Sequence, residues 1–266
     1  MTNKNSSQLS SIFIKKECDI SYLVDFIQNR YMNQKKRTYF NWSSGKDSSL
    51  ALYHLQQNPQ LQIDRLITTI NSHYQRVSMH GLKRELLEAQ AQAIALPLDM
   101  IELPEQPTME TYDEIVDKKI GELVAEGYTG CGFGDIFLED LRAYREEQLK
   151  PFNISWHFPI WKKDTKALIK EFLDLGFKAI LVCIKDELLD KSFAGRDIDE
   201  DFIEDLPESV DPCGENGEFH TFCYDGPIFK CPVEFTVGEK VYREYKNPDK
   251  DGKDVGFWFQ DLDLAK

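Results

Sequence analysis

Short apolar stretches alternate with stretches of helical periodicity over the first 160 residues. Residues 38–42, Thr-Tyr-Phe-Asn-Trp, are typical of a short buried strand, and residues 47–57 of a helix. The pattern predicts further strands at 64–70, 98–103, 128–132 and 154–157. It predicts further helices at 79–96, 108–126 and 139–149. Strands that alternate with helices in this way indicate an α/β fold, doubly wound around a five-stranded parallel sheet.

The pattern changes after residue 160. Asp164 is a good N-cap for a helix that ends at Gly176, and residues 178–185 form another apolar strand. Residues 197–211 are strongly acidic, which is typical of a solvated helix face. The strands predicted beyond Pro212 are 219–224, 233–237, 241–245 and 257–259. A smaller, mixed α+β domain therefore follows the parallel sheet.

Three segments follow from these patterns. Residues 1–37 form an N-terminal extension with a polar start, an amphipathic stretch at 20–27 and a basic cluster at Lys35-Lys36-Arg37. Residues 38–160 form the first domain and residues 161–266 the second, with the boundary at Pro159-Ile-Trp161.

Composition and charge narrow the choice of partners. The 266 residues carry 32 Lys and Arg against 46 Asp and Glu, and the resulting net charge of −14 disfavours nucleic acid as a partner. No stretch is long and apolar enough to cross a membrane, and the polar start lacks the apolar segment of a signal peptide. The six cysteines are dispersed without a Cys-x-x-Cys pair, which favours free thiols and the cytoplasm.

The first motif is Trp42-Ser-Ser-Gly-Lys-Asp-Ser-Ser49, placed between the first strand and the first helix. Small residues let the backbone N–H groups approach an anion, and the positive end of the new helix adds to this potential. Lys46 supplies a mobile charge. The motif therefore predicts an anion site at the carboxyl edge of the parallel sheet, although a Ser/Gly-rich turn that only caps the helix is the alternative.

This loop differs from the common phosphate loops. The Walker A pattern is absent, and Gly130-Cys-Gly-Phe-Gly134 does not match Gly-x-Gly-x-x-Gly. The order Ser-x-Gly-x-Asp-Ser instead resembles the PP-loop of the ATP pyrophosphatases. In these enzymes the loop binds the β,γ-pyrophosphate of ATP, which is cleaved at the α-phosphate. Ser44 stands where that pattern usually has Gly, and it restricts the backbone there.

The second motif, Asp211-Pro-Cys-Gly-Glu-Asn-Gly-Glu-Phe-His-Thr-Phe222, precedes a predicted strand. Its titratable groups Glu215, Glu218 and His220 could bind Mg²⁺, hold an ammonium ion or act as a general base on an amine. A solvated acidic turn is the alternative. Zinc is disfavoured because Glu-x-x-Glu-x-His lacks the spacing of common zinc sites.

Together, the two motifs resemble the diphthine–ammonia ligase family of PP-loop ATPases. Segments between them resemble the family too: His80-Gly-Leu with Gln90-Ala, Phe133-Gly-Asp-Ile-Phe-Leu-Glu-Asp-Leu-Arg142, Phe158-Pro-Ile-Trp and Ala194-Gly-Arg. The resemblance runs from about Thr38 to the region of Trp258. It implies five parallel strands of Rossmann-like (HUP) type that carry ATP. It also implies a smaller C-terminal domain that contains the second motif, residues 211–222, which we call the Gly-Glu loop.

The resemblance also implies roles for individual residues. The residues expected to bind ATP are Ser43, Ser44, Gly45, Lys46, Asp47 and Ser48, with Asp135 at the same sheet edge. The expected catalytic residues are Asp47, Glu215, Glu218 and His220. His80 could approach the nucleotide or cap a helix, and Asp135 could equally be an N-cap. Arg142 and Arg145 could neutralise phosphate charge, although surface salt bridges are favoured.

The implied reaction adenylates a substrate carboxylate and transfers ammonia to it, releasing AMP and pyrophosphate. The implied cofactors and partners are ATP, Mg²⁺, ammonia and a carboxylate acceptor, which in the family is the modified histidine of translation elongation factor 2. A homodimer is a further expectation. Two alternatives stay open at this point: a PP-loop enzyme that modifies tRNA, and a non-catalytic protein that binds ATP or AMP.

Overall fold

A computed structural model describes residues 35–77, 81–246 and 254–265, and residues 37–266 form one compact unit. The predicted amphipathic stretch at 20–27 and His80 lie outside the described residues. The described strands are β1 Lys36–Asn41, β2 Leu61–Asn71, β3 Arg76–Val77, β4 Leu98–Leu103, β5 Gly130–Gly132, β6 Ser155–His157, β7 Lys178–Lys185, β8 Phe219–Asp225, β9 Phe235–Tyr245 and β10 Val255–Leu264. The described α-helices are α1 Lys46–Gln56, α2 Arg84–Ile94, α3 Met109–Ala125, α4 Glu139–Leu149, α5 Thr165–Asp174 and α6 Glu200–Asp205.

The first sheet, sheet A, has the strand order β4-β2-β1-β5-β6, with β3 also paired to β2. The pairs β1–β5, β5–β6 and β2–β4 are parallel. The prediction of an α/β fold around a parallel sheet is therefore confirmed. The sheet has a sixth strand that was not predicted, because β3 has only two residues and pairs antiparallel to the end of β2.

The second sheet, sheet B, is antiparallel and has the order β8-β7-β10-β9. The predicted strands 233–237 and 241–245 are wrong as separate elements, since β9 is continuous from Phe235 to Tyr245. β9 has one extra residue between Val237 and Lys240, and a register shift against Gln260 and Leu262 of β10 accommodates it without interrupting the strand. The Gln260 side chain donates to the Gly238 carbonyl at 2.8 Å and holds the strand together there.

Two helix boundaries follow the predicted capping chemistry. The side chain of Asp164 accepts a hydrogen bond from Ala167 N at 2.8 Å, and Gly176 has φ +78° after the end of α5. The acidic segment 197–211 forms a helix only over Glu200–Asp205, where the Asp199 side chain accepts from Phe202 N at 2.7 Å. Capping signals were therefore reliable, whereas acidity alone overestimated the helix.

One apolar core cluster joins the two sheets. It includes Phe40 and Leu66 of sheet A with Ile180 and Phe222 of sheet B, all with almost no exposed surface. A second cluster contains Tyr39 of β1, with Ile120 and Leu123 of α3. Because the first core is shared, the edge of sheet A and the strands of sheet B are held in fixed proximity. Within the described ranges, no helix combines the length and apolarity that crossing a membrane would need.

Candidate active site

The loop between β1 and α1 turns sharply at Ser44. Ser44 has φ +72°, in the left-handed region that favours glycine, and its side chain is completely buried. Gly45 then occupies the N-cap position of α1, where no side chain caps the helix. Ser48 Oγ accepts a hydrogen bond from Ser43 N at 3.1 Å. The loop therefore presents the positive end of α1 at the carboxyl edge of sheet A, as an anion site requires.

The free edge of β8 holds this loop from the other side. Cys223 N donates to the Ser44 carbonyl at 2.9 Å, and Lys46 N donates to Thr221 Oγ1 at 3.0 Å. Gln90 of α2 lies beside them, fully buried, and donates to the carbonyls of Ser44 at 3.0 Å and Cys223 at 2.5 Å. The loop is thus fixed between the two sheets and does not depend on its own turn geometry alone.

Lys46 is the buried cation of the site. Its side chain is 4% exposed, and Nζ donates to the two carboxylate oxygens of Asp47 at 2.8 and 2.7 Å and to the Cys213 carbonyl. Burial alone would lower the pKa of Lys46, but the neighbouring groups of Asp47, Cys213 and Glu215 together outweigh it and the pKa is raised. Lys46 Nζ also lies 5.5 Å from the centre of the Phe219 ring. The ammonium therefore joins the phosphate loop to the Gly-Glu loop.

The Gly-Glu loop is built around Glu218. Its buried carboxylate accepts hydrogen bonds from Asp211 N at 3.0 Å, from Asn216 N at 2.7 Å and from the Asn216 side-chain amide at 3.0 Å. Gly214 and Gly217 have φ +71° and +80°, which permit the tight course of the chain. The structure places Glu218 inside the loop, where it fixes the loop's shape.

Glu215 has a different environment in the same loop. Its Oε2 atom is buried and has no hydrogen-bond partner among the described residues. Burial, with the nearby charge of Asp47, raises the pKa of Glu215 to about 7. A carboxyl group with one buried oxygen free of hydrogen bonds to the described residues and a pKa near neutrality suits proton transfer.

His220 lies on β8, directly before Thr221. Burial and the charge of Lys46 lower the pKa of His220 to about 4, so the imidazole is neutral near neutral pH. The sequence grouped Glu215, Glu218 and His220 as one set. The structure gives them three separate environments. Glu218 is bound within its own loop, and Glu215 has a buried oxygen without a partner among the described residues. His220 lies on β8, where successive residues face opposite sides of the sheet.

Asp135 follows β5 at the same sheet edge. Its neighbour Gly134 packs so closely on α1 that a Cβ there would lie 2.9 Å from Ser48 Cα. Arg145 forms an ion pair with Asp135 at 3.2 Å, whereas Arg142 pairs with Glu146 at 2.6 Å. The salt-bridge prediction for both arginines is confirmed. Burial raises the pKa of Asp135 despite this partner.

Four carboxyl groups, those of Asp47, Asp135, Asp211 and Glu215, act electrostatically on one another around Lys46. Oxygen donors of this kind suit Mg²⁺, which usually takes one or two carboxylates together with substrate phosphates. Among the described residues, no group of three or more His, Cys, Asp or Glu side chains is already arranged to hold a metal ion. The donor set therefore fits a cation that arrives together with phosphate.

Sequence reasoning missed the roles of Gln90 and Thr221. The sequence shows Gln90 only within a segment that resembles the family, although it is the polar residue on the buried face of α2, which also contains Leu86. A wholly buried amide needs partners, so this break in the apolar pattern was the available signal. Thr221 gave no signal, since its contact with Lys46 joins residues 175 positions apart.

Comparisons with known proteins cover most of the chain. Sequence models of the diphthamide synthase N-terminal domain and the diphthamide synthase C-terminal domain match residues 36–149 and 164–249. The diphthine–ammonia ligase of Homo sapiens is 28% identical over 183 residues, which are 63% of this chain and 67% of the human protein. That of Danio rerio is 33% identical over 90 residues, which are 31% of this chain and 34% of the fish protein. The chain thus matches about a third of one relative and two thirds of the other.

Two solved structures are more distant. A predicted subunit of tRNA methyltransferase from Methanocaldococcus jannaschii has a TM-score of 0.37 at 18% identity, over 54% of this chain and 77% of that one. The U34-tRNA thiolase NcsA from Methanococcus maripaludis has a TM-score of 0.35 at 15% identity, over 60% and 66%. Likenesses this weak support no conclusion about function.

Proposed function

The chain belongs to the diphthamide synthase family, and on this basis we propose that it is an ATP-dependent ligase that converts a carboxylate into an amide. The reaction consumes ammonia and ATP and releases AMP and pyrophosphate. The name of the relatives, diphthine–ammonia ligase, supports both the reaction and an acceptor carboxylate of the diphthine type. The observation that carries the proposal is the position of Lys46, which bonds to both the phosphate-loop carboxylate Asp47 and the Cys213 carbonyl of the Gly-Glu loop.

In this proposal ATP is a substrate, and the loop Ser43–Ser48 binds its β- and γ-phosphates. The uncapped end of α1 and the ammonium of Lys46 would balance the phosphate charge. Two residues support phosphate binding by this loop. Ser44 turns the backbone at the sheet edge, and Gly134 lets its own loop pack directly against α1 because it has no side chain. Positive groups fixed before the reaction stabilise charge that develops on the leaving pyrophosphate.

Mg²⁺ fits the same place. We propose that Asp135 contributes an oxygen to it, because its largely buried carboxylate lies at the same sheet edge, where burial and the charge of Asp47 raise its pKa. When bound with ATP, the ion would neutralise phosphate charge and draw the carboxylates of this strongly acidic site together.

The first step joins the acceptor to AMP. An oxygen of the acceptor carboxylate attacks the α-phosphorus, and the bond from that phosphorus to the bridging oxygen of pyrophosphate breaks, with its electron pair leaving on pyrophosphate. The carboxyl carbon then carries AMP, which leaves far more readily than oxide. The buried position of Lys46 supports this step, since charges act strongly where water is excluded.

In the second step, ammonia attacks the activated carbon and AMP departs. The attacking nitrogen must lose a proton, and we propose that Glu215 accepts it, because its raised pKa places it near neutrality. We assign a positioning role to Glu218, whose carboxylate is occupied by the loop. His220, neutral and close to Lys46, would lie beside the acceptor.

Product analysis tests the proposal. Purified protein is incubated with α-labelled ATP, Mg²⁺, ammonium and elongation factor 2 that carries diphthine, and the products are separated. We expect AMP and pyrophosphate in equal amounts, formed over many turnovers only when both ammonium and the acceptor are present. Formation of ADP and phosphate would overturn the proposal, and so would AMP formation that depends on tRNA.

A further inference from the structure

A cavity of about 600 Å³ lies between the two sheets. One wall comes from sheet A, with Asn71 at the end of β2, Tyr74 and β3. The other wall is a face of sheet B. None of the phosphate-loop residues 43–48 lines it. Its size is that of a site for a small molecule or for one large side chain.

The floor of this cavity is one row of residues across four strands. His220 of β8 lies opposite Cys183 of β7, Cys183 opposite Phe259 of β10, and Phe259 opposite Val241 of β9. All four residues line the cavity. Because directly paired residues of an antiparallel sheet lie side by side on one face, the row makes a continuous path from β8 to the edge strand β9.

The two ends of the path differ in exposure. Cys183 is 2% exposed, whereas Val241 is 40% exposed, Tyr74 53% and Tyr245 48%. The buried end lies at His220, which is close enough to Lys46 that burial and the charge of that ammonium together lower the pKa of the imidazole. The cavity therefore leads from solvent at β9 to the neighbourhood of the phosphate loop.

The lining is largely apolar, and of its three cations Arg243 alone lacks an ion-pair partner among the described residues. Arg76 bonds to Asp261 at 2.8 Å, and Lys83 bonds to the same carboxylate at 3.0 Å and to Asp263, so these two cations are balanced by two carboxylates. Arg243, at the exposed end, makes no ion pair with any carboxylate that the structure describes, and its guanidinium lies 5.7 Å from the Phe259 ring centre. Phe257 and Tyr245 pack edge to face beside it, with ring centres 5.9 Å apart.

We propose that this cavity is the entry site of the acceptor, and that it selects a carboxylate carried on a flat or apolar stem. The inference rests on the proposed ligase function. The aromatic side chains of Phe259, Phe257 and Tyr245 in the lining suit a planar stem. Arg243 attracts the carboxylate to the mouth of the cavity in a protein whose net charge is strongly negative. The carboxylate then moves along the row to His220, where it meets the α-phosphate next to Lys46.

A blocking variant tests this assignment. Val241→Trp places an indole on the cavity floor, and Val237→Trp places the same group on the same strand at an exposed position that does not line the cavity. With diphthine-bearing elongation factor 2, we expect Val241→Trp to raise the acceptor KM at least about tenfold. The KM for ATP should stay unchanged, and Val237→Trp should resemble the unsubstituted protein. Equal behaviour of the two variants, or loss of ATP binding in Val241→Trp, would overturn the assignment.

A second measurement does not depend on turnover. The probe is 3-(imidazol-4-yl)propanoate, a carboxylate on a planar stem, and its binding is followed by ligand-observed NMR. We expect binding to the unsubstituted protein and to Val237→Trp, loss in Val241→Trp, and weakening of about tenfold or less in Arg243→Gln. Failure of the unsubstituted protein to bind the probe would overturn the cavity assignment, whereas ADP formation in the product assay would overturn the ligase function alone.

Discussion

The side-chain amide of Gln90 donates a hydrogen bond to the carbonyl oxygen of Ser44 at 3.0 Å and so holds the most constrained residue of the phosphate loop. The same amide donates to the Cys223 carbonyl at 2.5 Å, and its oxygen accepts from Trp42 Nε1 at 3.1 Å. One buried side chain thus connects β1, the phosphate loop and β8.

Replacing Gln90 tests this connection. Gln90→Leu leaves Trp42 Nε1 and two carbonyls with fewer partners in a dry environment, so the free energy of unfolding should fall by at least about 2 kcal/mol. In the folded fraction of Gln90→Leu, the KM for ATP should rise. Gln92→Leu, at an exposed position of the same helix, is the control and should change neither quantity. Urea denaturation and steady-state kinetics measure both effects, and an unchanged KM would contradict the positioning role.

Ser44 is expected to be replaceable by glycine with a gain in stability. Its φ of +72° is costly for a residue with a Cβ, and its buried Oγ has no partner among the described residues. Ser44→Gly should raise the free energy of unfolding by about 1 kcal/mol. Ser44→Ala removes the hydroxyl but keeps the backbone constraint, so its gain should be smaller. Urea denaturation compares the two, and an equal or larger gain in the alanine variant would show that backbone strain is absent.

Glu215 should control the pH dependence of amide formation. As a base it works only when deprotonated, so the rate at constant free ammonia should rise with pH through about 7, the raised pKa of this group. Glu215→Gln should remove this rise and lower kcat by about a hundredfold or more. A pH profile of kcat for both proteins measures this.

Stability should respond to pH in the opposite direction. Because the folded protein binds the Glu215 proton more tightly than the unfolded chain does, its contribution to stability is present at low pH and is lost as pH rises through about 7. Glu215→Gln should therefore gain stability relative to the unsubstituted protein at pH 8 compared with pH 5. A constant difference between the two proteins across this range would contradict the raised pKa.

Glu218 should behave as a structural residue. Gln at this position cannot accept all three of the hydrogen bonds from Asp211 and Asn216, so Glu218→Gln should cost about 2 kcal/mol of unfolding free energy. The pH rise of kcat assigned to Glu215 should be retained in the folded variant. If Glu218→Gln instead abolished that rise with stability unchanged, Glu218 would be the base.

The sequence predicted the parallel sheet and the phosphate loop well because both depend on local patterns. Strand 38–42 and helix 47–57 are found as β1 and α1 within one or two residues. Strand 64–70 is longer in the structure, as β2 from Leu61 to Asn71, and its charged residues Asp64 and Arg65 are paired with Arg37 and Asp99.

The site was harder to predict, since it depends on contacts between distant residues. The sequence could not distinguish Glu215 from Glu218, because only the folded loop decides which carboxylate bonds to backbone N–H groups. The cavity was equally hidden, as its floor is a row across four strands whose register is not encoded in any one segment. The domain boundary at residue 160 and the homodimer stay predictions.

The central claim is that the acceptor carboxylate attacks the α-phosphorus of an ATP bound at Ser43–Ser48. The most direct test starts from an acceptor with ¹⁸O in its carboxylate and follows the label by ³¹P NMR after a single turnover with ATP and ammonia. We predict one ¹⁸O atom in the phosphate of AMP and none in pyrophosphate. Unlabelled AMP, or label in inorganic phosphate together with ADP, would contradict the account.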